Sequence, residues 1–203
     1  MNMRSIDMVN IVPGDFCNFS CRHCVNESGP TRSGRLSSAE IELLVRELNQ
    51  YRPKMILFTG GEPTLHIQVI NQILDRLTYS KYEVKITTNG WFAKTEDKLE
   101  FVLSSLARLN WVQLSYDIFH GSKLNLDDVR RLAAACSARD LRFNIGMCIS
   151  EAMDLVEAHR LTKELGLEVI YQKVAGIGRA RKTGTEFKHP RFDRSVCIGD
   201  ALI

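Results

Sequence analysis

The sequence predicts an α/β protein built on parallel strands, wound as a doubly wound sheet or as an incomplete (β/α)6 barrel. Three observations carry that expectation. Six short apolar segments alternate with five amphipathic ones along 203 residues. The connections between them are a few residues long, which suits elements that are neighbours in space. Strands such as Met55-Ile-Leu-Phe-Thr59 are apolar without alternation, the pattern of a strand covered on both faces. Right-handed crossovers then coil the units in one direction, and the loops after the strands gather at one C-terminal face.

Taken in order, residues 8–12 form the first strand, stopped by Pro13-Gly14. Residues 25–35, with Gly29, Pro30 and Gly34, read as loop. Ser37-Ser38-Ala39-Glu40 is a capping box, in which a serine oxygen accepts a free backbone N–H while Glu40 reaches back. The helix it opens runs to about Tyr51, with Ile41, Leu44, Val45 and Leu48 on one face. A strand over 55–59 leads through Gly60-Gly61-Glu62-Pro63 to a helix over about 66–77. A strand over 84–88 ends in Asn89-Gly90, and a helix near 96–108 precedes a strand over 111–116. Asp127 is expected to cap a helix reaching about Arg139. A strand over 141–149, a helix over about 151–165 closed by Gly166, and a strand over 167–174 complete the pattern. No internal repeat or low-complexity segment interrupts it.

Composition narrows the function classes. With 44% hydrophobic and 25% charged residues the chain is an ordinary globular domain with a sizeable core. No run approaches the ~18 apolar residues of a membrane span, and the N-terminus lacks an apolar signal segment. A cytoplasmic protein with no membrane partner is expected. The net charge of +3 is too small to argue for nucleic acid. It is unevenly distributed: residues 173–194 carry seven Lys or Arg against Glu186 and Asp193, a local +5. Because helical periodicity fades after Val174, that basic stretch is expected to pack poorly. Six cysteines could pair as disulfides, but Cys17, Cys21 and Cys24 are crowded, and Cys136 and Cys148 fall in core-like patterns. A reducing compartment fits better.

Those crowded cysteines form C-x3-C-x2-C on the loop after the first strand. A loop can curl three thiolates around one centre, whereas a strand would send alternate side chains to opposite faces. Such thiolates suit zinc or an iron–sulfur cluster. Structural zinc wants four ligands, usually from two separated C-x2-C pairs. Three close cysteines without a second pair leave one metal position open to chemistry. A zinc-binding interaction module using Cys17, Cys21, Cys24 and His23 is the non-enzymatic alternative.

The cysteine loop resembles the signature of the radical S-adenosylmethionine (SAM) enzymes, and Gly60-Gly61-Glu62-Pro63 resembles their GGEP motif. The resemblance implies an incomplete (β/α)6 barrel of parallel strands, a partial TIM barrel, over residues 1–182. It implies a [4Fe–4S] cluster on Cys17, Cys21 and Cys24, with Gly60, Gly61, Glu62 and Pro63 at the methionyl end of SAM. Thr88 and Asn89, from Thr87-Thr88-Asn89-Gly90, are similar to a segment that shapes the SAM site, as are Ser115 and Asn144. Asp117 and His120 are the catalytic candidates, His120 because its pKa lies near neutrality. The chemistry implied is reductive cleavage of SAM to a 5′-deoxyadenosyl radical that takes hydrogen from a substrate. A peptide or protein substrate is expected, with an electron donor such as flavodoxin or ferredoxin. The runners-up are a small-molecule enzyme, 7-carboxy-7-deazaguanine synthase-like, or a glycyl-radical activase. Gly178-Arg179-Ala180 resembles a segment near the adenine in peptide-modifying members. Cys197, within residues 183–203, resembles the start of a SPASM-type cysteine-rich extension cut short.

Overall fold

The computed structural model describes residues 6–120 and 123–187. Six parallel strands lie side by side in chain order: β1 (Met8–Ile11), β2 (Met55–Phe58), β3 (Glu83–Thr88), β4 (Trp111–Ser115), β5 (Arg142–Ile149) and β6 (Val169–Lys173). Between successive strands run α1 (Ser38–Tyr51), α2 (Ile67–Leu74), α3 (Glu96–Ser105), α4 (Leu126–Ser137) and α5 (Asp154–Leu165), and a short α6 (Gly178–Thr183) follows β6. The strand order decides between the two architectures. A doubly wound sheet reverses its order at a switch point, and this sheet never does. Right-handed crossovers in an unbroken order put every helix on one face and curl the sheet steadily. Among the described residues β1 pairs with β2 alone and β6 with β5 alone, so the ring stays open as a half-barrel.

Strand register divides the sheet into two faces. Ile56, Phe58, Val84, Ile86, Val112, Leu114, Ile145 and Met147 are buried and meet Ile41, Val45, Ile70, Ile73, Val102 and Leu132 of the helices. Each such aliphatic residue stabilises the fold by roughly 1.5–3 kcal/mol. The alternate residues, Leu57, Lys85, Thr87, Gln113, Ser115, Gly146 and Cys148, occupy the concave face and are only partly covered.

Local signals mostly hold. The expected box opens α1: Glu40 N–H donates to Ser37 Oγ at 3.3 Å, and Ser37 N–H donates to Glu40 Oε2 at 2.7 Å. Gly166 ends α5 at φ +63°. Asp127 does not cap α4, however. Asn125 does, accepting from Asp128 N–H at 2.9 Å while Asp128 answers Asn125 N–H at 3.1 Å. A capping box needs its acid three residues after the cap, and only Asn125 has one in Asp128; Asp127 is left pairing with Arg130 on the surface. Short 3-10 turns at Pro63–Leu65 and Trp91–Lys94 delay α2 and α3. Among the described residues no helix is long and apolar enough to cross a membrane.

Candidate active site

The three cysteines lie on the loop after β1, at the C-terminal mouth of the half-barrel, and all are half-buried free thiols. Within the loop, Asp15 N–H donates to Gly34 O at 3.0 Å, Cys17 N–H to Gly29 O at 3.3 Å, Cys24 N–H to Cys21 O at 3.3 Å and Glu27 N–H to Cys24 O at 3.4 Å. Neighbouring segments add more. From the segment after β2, Gly61 N–H donates to Gly14 O at 3.0 Å, and Glu62 N–H donates to Phe16 O at 2.9 Å. This approach explains the glycine pair. A Cβ on Gly61 would stand 2.1 Å from Phe16 O, and Gly60 adopts φ +115°.

Glu62 turns inward and is 1% exposed. Its Oε1 accepts from Thr64 N–H at 3.2 Å, Thr64 Oγ1 at 2.7 Å and Thr88 Oγ1 at 2.6 Å, and its Oε2 accepts from Asn89 N–H at 2.8 Å. Burial raises its pKa, against the pull of those donors. The carboxylate thus ties the loop after β2 to the loop after β3. Asn89 carries the tie onward: its Nδ2 donates to Asn18 Oδ1 at 2.9 Å and lies 3.7 Å from Cys17 Sγ. Cys17 Sγ also accepts from Phe19 N–H at 3.4 Å, while burial pushes its pKa up to about 11.

The far side of the mouth holds the acid–base candidates. Asp117 Oδ1 accepts from His120 Nδ1 at 2.7 Å and from Phe119 N–H at 2.9 Å, and Oδ2 accepts from Cys148 N–H at 3.1 Å. Burial opposes charge on both partners, but the mutual hydrogen bond outweighs it. Asp117 is held below the ordinary carboxylate range and His120 up at about 10, with a further hydrogen bond between His120 and Cys21. His23 packs on Phe119 with ring centroids 4.2 Å apart, and burial lowers its pKa to about 4.

Sequence reasoning put Cys148 in a core-like pattern. Instead it sits on the concave face, with ligand atoms of His23, Asp117 and Cys148 all within 4.8 Å of one another. Burial and the Asp117 charge push its thiol up to about 12. The signal was present: Asn144, Gly146 and Cys148 alternate, and the polar Asn144 marks their face. Cys136, by contrast, is fully buried in α4 as expected.

The structure therefore gathers Cys17, Cys21, Cys24, Gly60, Gly61, Glu62, Pro63, Thr88, Asn89, Asp117 and His120 at one mouth. Ser115 ends β4 on the concave face, directly opposite Gly146 in the register. Asn144 stands apart. Four residues before Cys148 on β5, it lies roughly 13 Å down the strand, fully buried, its Oδ1 accepting from Trp111 Nε1 at 2.6 Å and its Nδ2 without a partner among the described residues.

The basic stretch after Val174 does not pack loosely as far as it is described. Phe187 N–H returns to Val174 O at 2.9 Å, and α6 docks on the cysteine loop. Arg179 extends to that loop, its fork donating to Cys21 O and Ser28 O at 2.7 Å each. Cys197 lies outside the described residues.

The donor set fits a cluster better than a single ion. One tetrahedral zinc would draw its thiolates to within about 4 Å of one another at Zn–S distances near 2.3 Å. The loop thiols do not converge within 4.8 Å; among the described residues the triad that does is His23, Asp117 and Cys148. Thiolates on separate irons stand further apart, and hydrogen bonds to sulfur, as at Cys17, are what such clusters use.

A parallel half-barrel with three free thiols on one loop at its C-terminal mouth is the frame on which the comparisons bear. Residues 11–178 match the Radical SAM superfamily, and the chain belongs to it. YydG of Bacillus subtilis, a protein named for peptide biosynthesis, is 25% identical over 162 residues, covering 78% of this chain and 50% of that protein. A GTP 3′,8-cyclase of Chlorobaculum tepidum is 32% identical over 121 residues, covering 59% of this chain and 36% of the cyclase. Among solved structures, native anSMEcpe with bound AdoMet shares the fold at a TM-score of 0.61 and 18% identity, covering 81% of this chain and 51% of that one. The chain spans about half the length, or less, of these relatives.

Proposed function

We propose that this chain is the catalytic core of a radical SAM enzyme acting on a peptide or protein. The observation that carries the reading is the cysteine loop itself: three free thiols at the barrel mouth, held open for a cluster by Gly61, Glu62 and Asn89. Cys17, Cys21 and Cys24 would hold the [4Fe–4S] cluster, which with SAM supplies reductive cleavage to a 5′-deoxyadenosyl radical. The chain's own residues do the rest. Gly60 and Gly61 keep the backbone close, Pro63 starts the turn that presents it, and Glu62 with Thr88 and Asn89 fixes the SAM side of the mouth. Ser115, on the concave face, and the buried pair Asp117–His120 face the substrate side, with a proton held between Asp117 Oδ1 and His120 Nδ1. Asn144, deeper on β5, contributes to cofactor binding only by supporting that wall through Trp111.

The peptide substrate rests on the likeness to YydG and on Gly178-Arg179-Ala180. The GTP 3′,8-cyclase likeness favours a second reading, a small-molecule substrate. A flavodoxin- or ferredoxin-type protein would deliver the electron. A cytoplasmic location suits the free thiols. The test is anaerobic purification followed by reduction with dithionite in the presence of SAM. Iron, sulfide, methionine and 5′-deoxyadenosine are expected, and colourless protein carrying one zinc refutes the reading. A mass change in a peptide encoded beside the gene, with GTP unchanged, supports the first substrate; the reverse supports the second.

A further inference from the structure

The cysteine loop follows β1 and α6 follows β6, so the two flank the open seam of the half-barrel. Across 150 residues of chain they are joined by a dense set of bonds. Arg179 donates Nη1 to Cys21 O and Nη2 to Ser28 O, each at 2.7 Å, and its backbone N–H to Cys24 O at 2.9 Å. Thr183 Oγ1 donates to Arg22 O at 2.9 Å, and Lys182 pairs with Glu27 at 2.6 Å. Gly178, at φ +56°, brings the two backbones together; a Cβ there would stand 2.2 Å from Val25 O. Four carbonyls of the loop, at residues 21, 22, 24 and 28, thus each accept a donor from α6, two of them in addition to a donor from the loop itself. These bonds add to those the loop makes within itself and with the segment after β2, and they fall on residues 21–28, where two of the three thiols lie.

We propose that α6 is a clasp on the cluster loop, with Arg179 as the positioning residue that governs how long the cluster is retained. The inference rests on Cys17, Cys21 and Cys24 being the cluster ligands. The guanidinium suits the task because its rigid fork serves two carbonyls at once, which a lysine ammonium cannot copy. Opening the clasp frees the loop to move, exposing the iron ligands to solvent and chelator. The exposed pair Lys182–Glu27 adds little, since both ends are free to hydrate.

The test follows iron release from the reconstituted full chain to a ferrous chelator, anaerobically, by the decay of the cluster's visible absorbance. Losing one charge-assisted hydrogen bond is worth about tenfold or more in an equilibrium or rate. Arg179→Ala should release iron at least about tenfold faster than wild type, with Arg179→Lys in between and Lys182→Ala unchanged. Thermal melts of the cluster-free proteins, and Thr183→Val as a milder opening of the same contact, cover the case in which Arg179→Ala does not fold. Release at the wild-type rate in Arg179→Ala, or in both Arg179→Lys and Thr183→Val where the alanine variant does not fold, overturns the clasp. Wild-type protein that takes up no iron refutes the cluster ligands instead.

Discussion

Replacing Glu62 by alanine tests the central strut of the mouth. The substitution removes the carboxylate that accepts from two buried backbone N–H groups, Thr64 and Asn89, and from the hydroxyls of Thr64 and Thr88. The hydroxyls can rotate to other acceptors; the amides cannot. Two stranded amides at about 1–3 kcal/mol each put the loss near 2–6 kcal/mol. For a domain of this size, each kcal/mol lowers the melting temperature by about 2–4 °C, so a fall of about 4–24 °C is expected. Asn89 would also lose the anchor that aims its amide at Cys17, so cluster uptake should weaken with stability. Glu62→Gln keeps the shape but sets an N–H against a donor, and should fall between the two. The assay is thermal unfolding by circular dichroism on cluster-free protein, beside iron content after reconstitution. A melting temperature and iron content equal to wild type, with only SAM affinity reduced, would refute this reasoning and make Glu62 a plain ligand contact.

Three further outcomes follow from the geometry. Cys17→Ala, Cys21→Ala and Cys24→Ala should each lose bound iron by elemental analysis, while Cys136→Ala, deep in α4, should retain it. Gly61→Ala should misfold or lose cluster uptake, because its methyl would overlap Phe16 O; normal iron content would show that the two loops can part without consequence. Asn125→Ala should cost about 1 kcal/mol, read as a melting shift of about 2–4 °C, whereas Asp127→Ala should fall within about 0.5 kcal/mol of wild type.

Much of the site was legible because its motifs are local. C-x3-C-x2-C and Gly-Gly-Glu-Pro each act within a handful of residues, and strand ends could be read from Pro13-Gly14 and Asn89-Gly90. Other parts depended on distance. Glu62 reads as an offered carboxylate in sequence, yet Thr88 and Asn89, 26 and 27 residues on, turn it into an internal strut. Cys148 looked like core because its neighbours Ile145, Met147 and Ile149 are apolar; only the curl of the sheet assigns its face to the mouth. Arg179 was legible as part of a basic stretch and, by resemblance, of a Gly-Arg-Ala segment near the adenine, but not as a donor to carbonyls more than 150 residues away in sequence.

The sequence by itself determined the alternation of strands and helices, the parallel sheet and the cysteine loop, because periodicity, turn residues and thiol spacing act between near neighbours. Periodicity left a doubly wound sheet and a half-barrel open, the motif resemblance pointed to the half-barrel, and tertiary structure decided the unbroken strand order and which loops brace the cysteines. Those outcomes turn on which backbone carbonyls and buried carboxylates remain unpaired once the sheet has curled. Their partners come from segments whose separation along the chain carries no pattern.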